Sequence, residues 1–207
     1  MNLFKFDGPI YNGLSRIFDI LFLNILWLLC SIPIITIGAS TTALYYCMLK
    51  ISRKNDAGMA AMFFKSFRQN FKQGCALTVV FAVSGVILYM NFQACALIEG
   101  IFVKCIKILI VALLIVFGLI VSYAFPLLAQ FDNTVKNTLK NSLLLAISNI
   151  KKTIPIFIIN AIPIVVFWKL PYTFVFCLPL LLTFGVALIA FINSKILIGV
   201  FDKYIQS

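Results

Sequence analysis

Thirty consecutive residues, Ile20 to Leu49, contain no charged side chain, and uncharged runs recur at Gln73–Ile98, Ile108–Phe131, Thr153–Trp168 and Pro171–Ser194. An α-helix rises about 1.5 Å per residue, so about 20 apolar residues cross a hydrocarbon layer about 30 Å thick. Four of the five runs are long enough, and the fifth is short but apolar. The chain has 207 residues, of which 63% are apolar and 11% charged, against about 25% charged in a soluble domain. Too little polar surface remains to clothe a globule in water. The expected fold is all-α: a single polytopic transmembrane helical bundle over residues 1–207, with the lipid bilayer as its first partner.

The longest run is too long for one upright helix. It contains Ser31-Ile32-Pro33 and then Thr36-Ile37-Gly38, residues that end one helix and allow a turn before the next. A helical hairpin follows, with helices over 13–32 and 39–54. Ser40, Thr41 and Thr42 stand near the start of the second as capping residues. Further helices are expected over 74–96, 108–130, 153–168 and 171–194. Trp168 and Tyr172 flank the last turn as interface anchors. An amphipathic segment over 59–72 and a connection over 132–152 that begins as a helix join the spans. The first apolar run is too long for a signal-peptide core and lacks a small-residue cleavage site, so it is expected to stay as a membrane helix.

The 17 basic residues test this order. With six spans, 14 of them fall on one side and only Lys104, Lys107 and Lys169 on the other. Merging the hairpin into one span gives 12 against 5. Six spans fit the positive-inside rule better, five being the alternative, and both termini are then cytoplasmic. The net charge of +11 does not point to nucleic acid. The cations sit at the ends of apolar spans, where they meet lipid phosphates, and form no basic stripe interleaved with aromatics on a soluble surface.

Few residues offer chemistry. There is no histidine, and the six cysteines (Cys30, Cys47, Cys75, Cys95, Cys105 and Cys177) form no Cys-x-x-Cys pair. No metal site or cofactor is expected, and most of these thiols read as small buried apolar groups. Cys105, in a loop beside Lys104 and Lys107, is the one to test for reactivity. No phosphate loop, nucleophile elbow or usable acid pair occurs, so no enzyme is expected. Asp19 lies about one turn inside the first helix, where an unpaired carboxylate is costly. Its depth matches that of Ser52 on the second helix, so Lys50 or Arg53 is expected to pair with it. In the 59–72 segment, Met59, Phe63, Phe64, Phe67 and Phe71 share one arc at 100° per residue, and Lys65, Arg68 and Lys72 another. Such a helix lies flat at the membrane interface or docks into a partner's groove. In the 132–152 connection, Lys136 and Lys140 lie one turn apart beside three asparagines. Among the intramembrane amides, Asn24, Asn91 and Asn160 would line a polar path if substrate passed through. Pro126, Pro155 and Pro163 would break helices around it.

The run Leu23-Asn24-Ile25-Leu26-Trp27-Leu28-Leu29, then Ser31-Ile32-Pro33-Ile34-Ile35-Thr36-Ile37-Gly38-Ala39 and Thr42-Ala43-Leu44-Tyr45-Tyr46, resembles the YesL-like family of bacterial membrane proteins. The segment ending in Asn70-Phe71-Lys72 is similar to the family's next block, as is the stretch from Phe125-Pro126 into the Asn- and Lys-rich connection. The resemblance implies a multi-pass protein of the bacterial plasma membrane, encoded near carbohydrate ABC importers and polysaccharide-degrading enzymes. It supplies no ligand or catalytic residues. The chain lacks the Glu-Ala-Ala loop by which importer permeases engage their ATPase, which argues against its being the permease. The expectation is a non-enzymatic accessory protein of carbohydrate ABC import that docks permease subunits through its cytoplasmic face. The competing expectation is a small transporter or channel acting alone.

Overall fold

The structure, a computed structural model, describes residues 9–53, 58–95, 97, 98, 100–169, 178, 179 and 181–205, without the side chains of 9–13 and 167–169. The described residues are helical with short turns. Helix α1 spans Pro9–Cys30, a 3-10 turn Ile34–Thr36, α2 Ile37–Ser52, α3 Met59–Gln69, α4 Phe71–Ala94, α5 Ile101–Gln130, α6 Val135–Ser148 and α7 Ile150–Lys169. A π-helical turn over Leu181–Gly185 leads into α8, Val186–Ile205.

The hairpin forms as expected from its break residues. Pro33 cannot continue α1, and Thr36 Oγ1 lies 2.6 Å from the carbonyl oxygens of both Cys30 and Pro33, occupying acceptors that the helix end leaves free. Trp27 Nε1 donates across the hairpin to Thr41 Oγ1 at 3.1 Å. The second arm, α2, becomes the centre of the bundle, packed by α1, α3, α4, α5 and α8. Its sequence permits this because its first two turns are small. Ser40 and Thr42 return their hydroxyls to the carbonyls of Thr36 and Gly38 at 3.0 and 2.8 Å, so neither needs water.

Closest approach falls at Gly38 and Gly74. Gly38 N donates to Thr78 Oγ1 at 2.8 Å, and a methyl group on Gly74 would stand 2.6 Å from the Ala39 backbone. The sequence reads Gly38 as a turn residue; in the fold it is half of a backbone-to-backbone helix crossing, which lipid-embedded bundles favour because apolar side chains gain little by leaving lipid.

Four helical stretches among the described residues are long and apolar enough to cross a membrane, namely 34–52, 71–94, 101–130 and 181–205, or five if α6 and α7 form one broken span. α1, expected as the first span, is helical for 22 residues but is not among those four. Val79, Val83, Val86 and Met90 on α4 and Ile108, Leu109 and Ile115 on α5 are exposed along their helices. Uncovered apolar surface of this extent fits lipid contact and a multi-pass membrane protein.

Several boundaries differ from the sequence reading. The fourth expected span begins at Ile101 rather than 108, placing Lys104, Cys105 and Lys107 in a helix rather than a loop. Long lysine stems tolerate this position, and Lys107 Nζ lies 5.1 Å over the Phe92 ring. The 132–152 connection is almost wholly helix, and α6 meets α7 at 111°. Asn149 and Thr153 fix that corner: Thr153 Oγ1 donates to Ala146 O at 2.8 Å and lies 2.8 Å from Tyr123 OH on α5. The last helix runs to Ile205, past the expected end at 194. Residues 170–177 at the start of that expected span, with Tyr172 and Cys177, and the Trp168 side chain lie outside the described residues.

Candidate functional site

Polar side chains gather in two places. The first is a chain of hydrogen bonds inside the bundle. Asn160 on α7 donates to Ser122 Oγ on α5 at 3.0 Å and accepts from Asn193 Nδ2 on α8 at 2.8 Å. Asn193 Nδ2 also lies 3.3 Å from Tyr45 OH on α2. Four helices are thus joined through neutral groups, each bond modest but costly to leave unmade in lipid. Tyr45, Ser122 and Asn193 are all buried.

The three asparagines expected to line one path do not do so. Asn160 belongs to this chain. Asn24, fully buried on α1, brackets the π-helical turn: its Nδ2 donates to Leu182 O, and its Oδ1 accepts from Ala187 N at 2.8 Å. A π turn displaces the regular helical ladder, and this amide occupies backbone groups on both sides of it. Asn91 faces outward on α4 and donates to Ile87 O of its own helix at 2.8 Å.

The second place is the basic end of the bundle. Arg53, at the end of α2, pairs with Asp202 on α8 at 2.7 Å and donates to Gln130 at the end of α5 at 3.2 Å. Three helix ends meet at one guanidinium, whose planar fork suits two acceptors. The expectation that Arg53 pairs with Asp19 is therefore corrected. Arg53 is committed to Asp202, and Lys50 Nζ lies 5.5 Å over the Tyr46 ring. Asp19 is half-buried on α1 and is not without a partner. Residue depth along a hairpin fixes height, but α2 has neighbours on several sides, and α8 supplied the acid.

The amphipathic segment is corrected in its orientation. Met59, Phe63 and Ser66 turn into the bundle against α2, and Phe63 is fully buried. Its ring stacks with Phe67 at 6.4 Å, and Phe67 meets Phe71 edge-on at 5.5 Å. Phe64 and Phe71 remain exposed, with Lys65, Arg68 and Lys72. Phe63 is thus core, not a docking residue. Asn70 ends α3, its Nδ2 donating to Ser66 O at 3.1 Å, and α4 restarts at Phe71.

Among the recesses that open at this end are two with different linings. One of about 450 Å³ lies between α5, α6 and α8, lined by Leu127, Phe131, Asn141, Leu144, Ser148 and Tyr204 among others. The other, of about 560 Å³, is formed by Arg68, Gln69, Phe71, Lys72 and Gln73 at the α3–α4 corner. Sequence reasoning missed Tyr45, Thr153 and Asp202. Asp202 was the findable one, as one of only six acids in the chain.

Fold and site together define an all-helical, multi-pass membrane bundle with its Arg53–Asp202 ion pair at one end. A family model described as "Protein of unknown function, DUF624" matches residues 20–92. The chain is 28% identical to the uncharacterized protein YteU of Bacillus subtilis (strain 168) over 190 residues, 88% of this chain and 81% of that one. It is 23% identical to the uncharacterized protein YesL of the same organism over 145 residues, 66% of this chain and 68% of that one. The resemblance to the YesL-like family is thereby shown. No solved structure matches.

Proposed function

We propose that this chain is a non-enzymatic accessory membrane protein that docks a membrane partner at its basic, cytoplasmic end. The observation that supports it is the open cavity between α5, α6 and α8. Leu144 on its rim is 51% exposed, while Leu127 and Leu145 at its base are buried. Asn141, Ser148 and Tyr204 supply neutral hydrogen-bonding groups around an apolar floor. That combination suits the apolar side chains of an amphipathic helix better than a charged substrate. The partner class, a permease subunit of a carbohydrate ABC importer, comes from the family resemblance. A carrier acting alone receives less support, because Asn24, Asn91 and Asn160 face three different surroundings.

The test places a photo-crosslinking residue at Leu144 in the full-length protein in native membranes, with Leu113 on α5, 47% exposed, as the lipid-facing control. A crosslink to an importer permease subunit from 144 and none from 113 is the expected result. No crosslink from 144, or equal crosslinking from both, overturns the reading.

A further inference from the structure

The α3–α4 corner offers a different chemistry from the α6 cavity. Arg68 stands in the last turn of α3 and Lys72 in the first turn of α4, on either side of the break at Asn70. Together with Gln69, Gln73 and the Phe71 ring they border an open surface recess of about 560 Å³. Gln73 is held in place by donating from Nε2 to Asn133 O at 3.3 Å. Among the described residues no carboxylate lines the recess. Asp132 lies in the neighbouring recess with Lys65, and Asp202 is taken by Arg53. Two exposed cations with no described acid between them make this corner attractive to an anion.

The surroundings say which kind of anion. From this corner α4 runs away with almost no cover: Val79 is 48% exposed, Val83 54% and Val86 57%. Phe71, exposed at 42%, marks the passage from charged to apolar surface. A soluble phosphate has no use for such a strip, and an acidic protein segment would leave it bare. A phosphodiester carrying acyl chains matches both parts, headgroup at Arg68 and Lys72 and chains along α4.

We infer that the α3–α4 corner binds the headgroup of an anionic phospholipid, with Arg68 and Lys72 holding the phosphate and the outer face of α4 seating the acyl chains. The site is separate from the α6 cavity, and its failure would leave the docking reading untouched.

The test uses full-length protein in phosphatidylcholine nanodiscs doped with phosphatidylglycerol. The readout is the phosphatidylglycerol retained through extraction into mild detergent, counted by native mass spectrometry. Arg68→Gln with Lys72→Gln should lower its retention relative to phosphatidylcholine roughly thirtyfold, from the loss of two basic contacts. The charge-keeping pair Arg68→Lys with Lys72→Arg should retain it. Lys104→Gln with Lys107→Gln, which removes two charges from the other end, should leave retention unchanged. Equal loss in both glutamine pairs would mean net charge alone, and unchanged retention in the first would mean no site; either overturns the assignment. Inorganic phosphate at millimolar concentration should not displace the lipid. Displacement as ready as by a short-chain phosphatidylglycerol would identify a free-anion site and also overturn it.

Discussion

Gly74→Ala and Gly85→Ala make the same chemical change on the same helix in two different surroundings. A methyl group at Gly85 would meet Phe117 at 3.6 Å, ordinary van der Waals contact. At Gly74 it would stand 2.6 Å from both the nitrogen and Cα of Ala39 and 3.0 Å from the Gly38 carbonyl carbon. Those are backbone atoms of the central helix, so no rotamer change relieves the clash; α2 and α4 must separate. Separation also strains the bond from Gly38 N to Thr78 Oγ1. Alanine favours a helix over glycine by up to about 1 kcal/mol at either position. Overpacking against atoms that cannot yield costs about 1–3 kcal/mol or more. Gly85→Ala should therefore be neutral or stabilising by up to about 1 kcal/mol, and Gly74→Ala should fall about 2 kcal/mol below it. The assay is reversible unfolding in mixed micelles, with loss of monodisperse protein on heating as a second readout. Equal stability of the two variants would refute the close crossing of α2 and α4.

Asn24→Leu should destabilise the protein by about 1–3 kcal/mol, since it strands the Leu182 carbonyl and the Ala187 amide in a lipid-embedded core; unfolding in micelles reads it, and a neutral result would remove the bracket. Phe63→Ala should cost about 3 kcal/mol or more and Phe64→Ala under about 1, because the first ring is fully buried and the second 42% exposed; equal costs would return α3 to the flat, lipid-facing orientation. For Arg53 and Asp202, a double-mutant cycle with Arg53→Gln and Asp202→Asn should give a coupling of about 0.5–1 kcal/mol that weakens with salt, as befits a pair with side chains 29% and 45% exposed. A coupling near zero at low salt would mean the two do not meet.

The sequence was most legible where one physical rule acted alone. Charge-free runs set against bilayer thickness located the helices, and Pro33 with Thr36 and Gly38 located the hairpin, because a prolyl nitrogen cannot donate and a helix end needs other partners. Amphipathicity placed a helix at 59–69 but not its orientation. An apolar face is equally at home against lipid or against a neighbouring helix, and only the fold decides that Phe63 goes inward while Phe64 stays out. The sequence marks Asp19 as needing a cation and offers Lys50 or Arg53, yet depth along α2 does not say which neighbour Arg53 meets. Asn24 reads as an intramembrane amide, but nothing in the local sequence announces a π turn some 160 residues away. Lys104 and Lys107 read as loop residues in the sequence, which delays the expected start of α5, whereas their stems let a helix carry charge near its end.

The account stands on the gathering of the α2, α5 and α8 ends, with α3 and α6, on one side of a membrane. In a cysteine-free full-length background, single substitutions Lys65→Cys, Lys140→Cys, Lys203→Cys and Ile101→Cys can be labelled with a membrane-impermeant thiol reagent in sealed vesicles of known orientation. The first three should label together from one side of the membrane and Ile101→Cys only from the other. Labelling of any of the three from the same side as position 101 would contradict the fold as described.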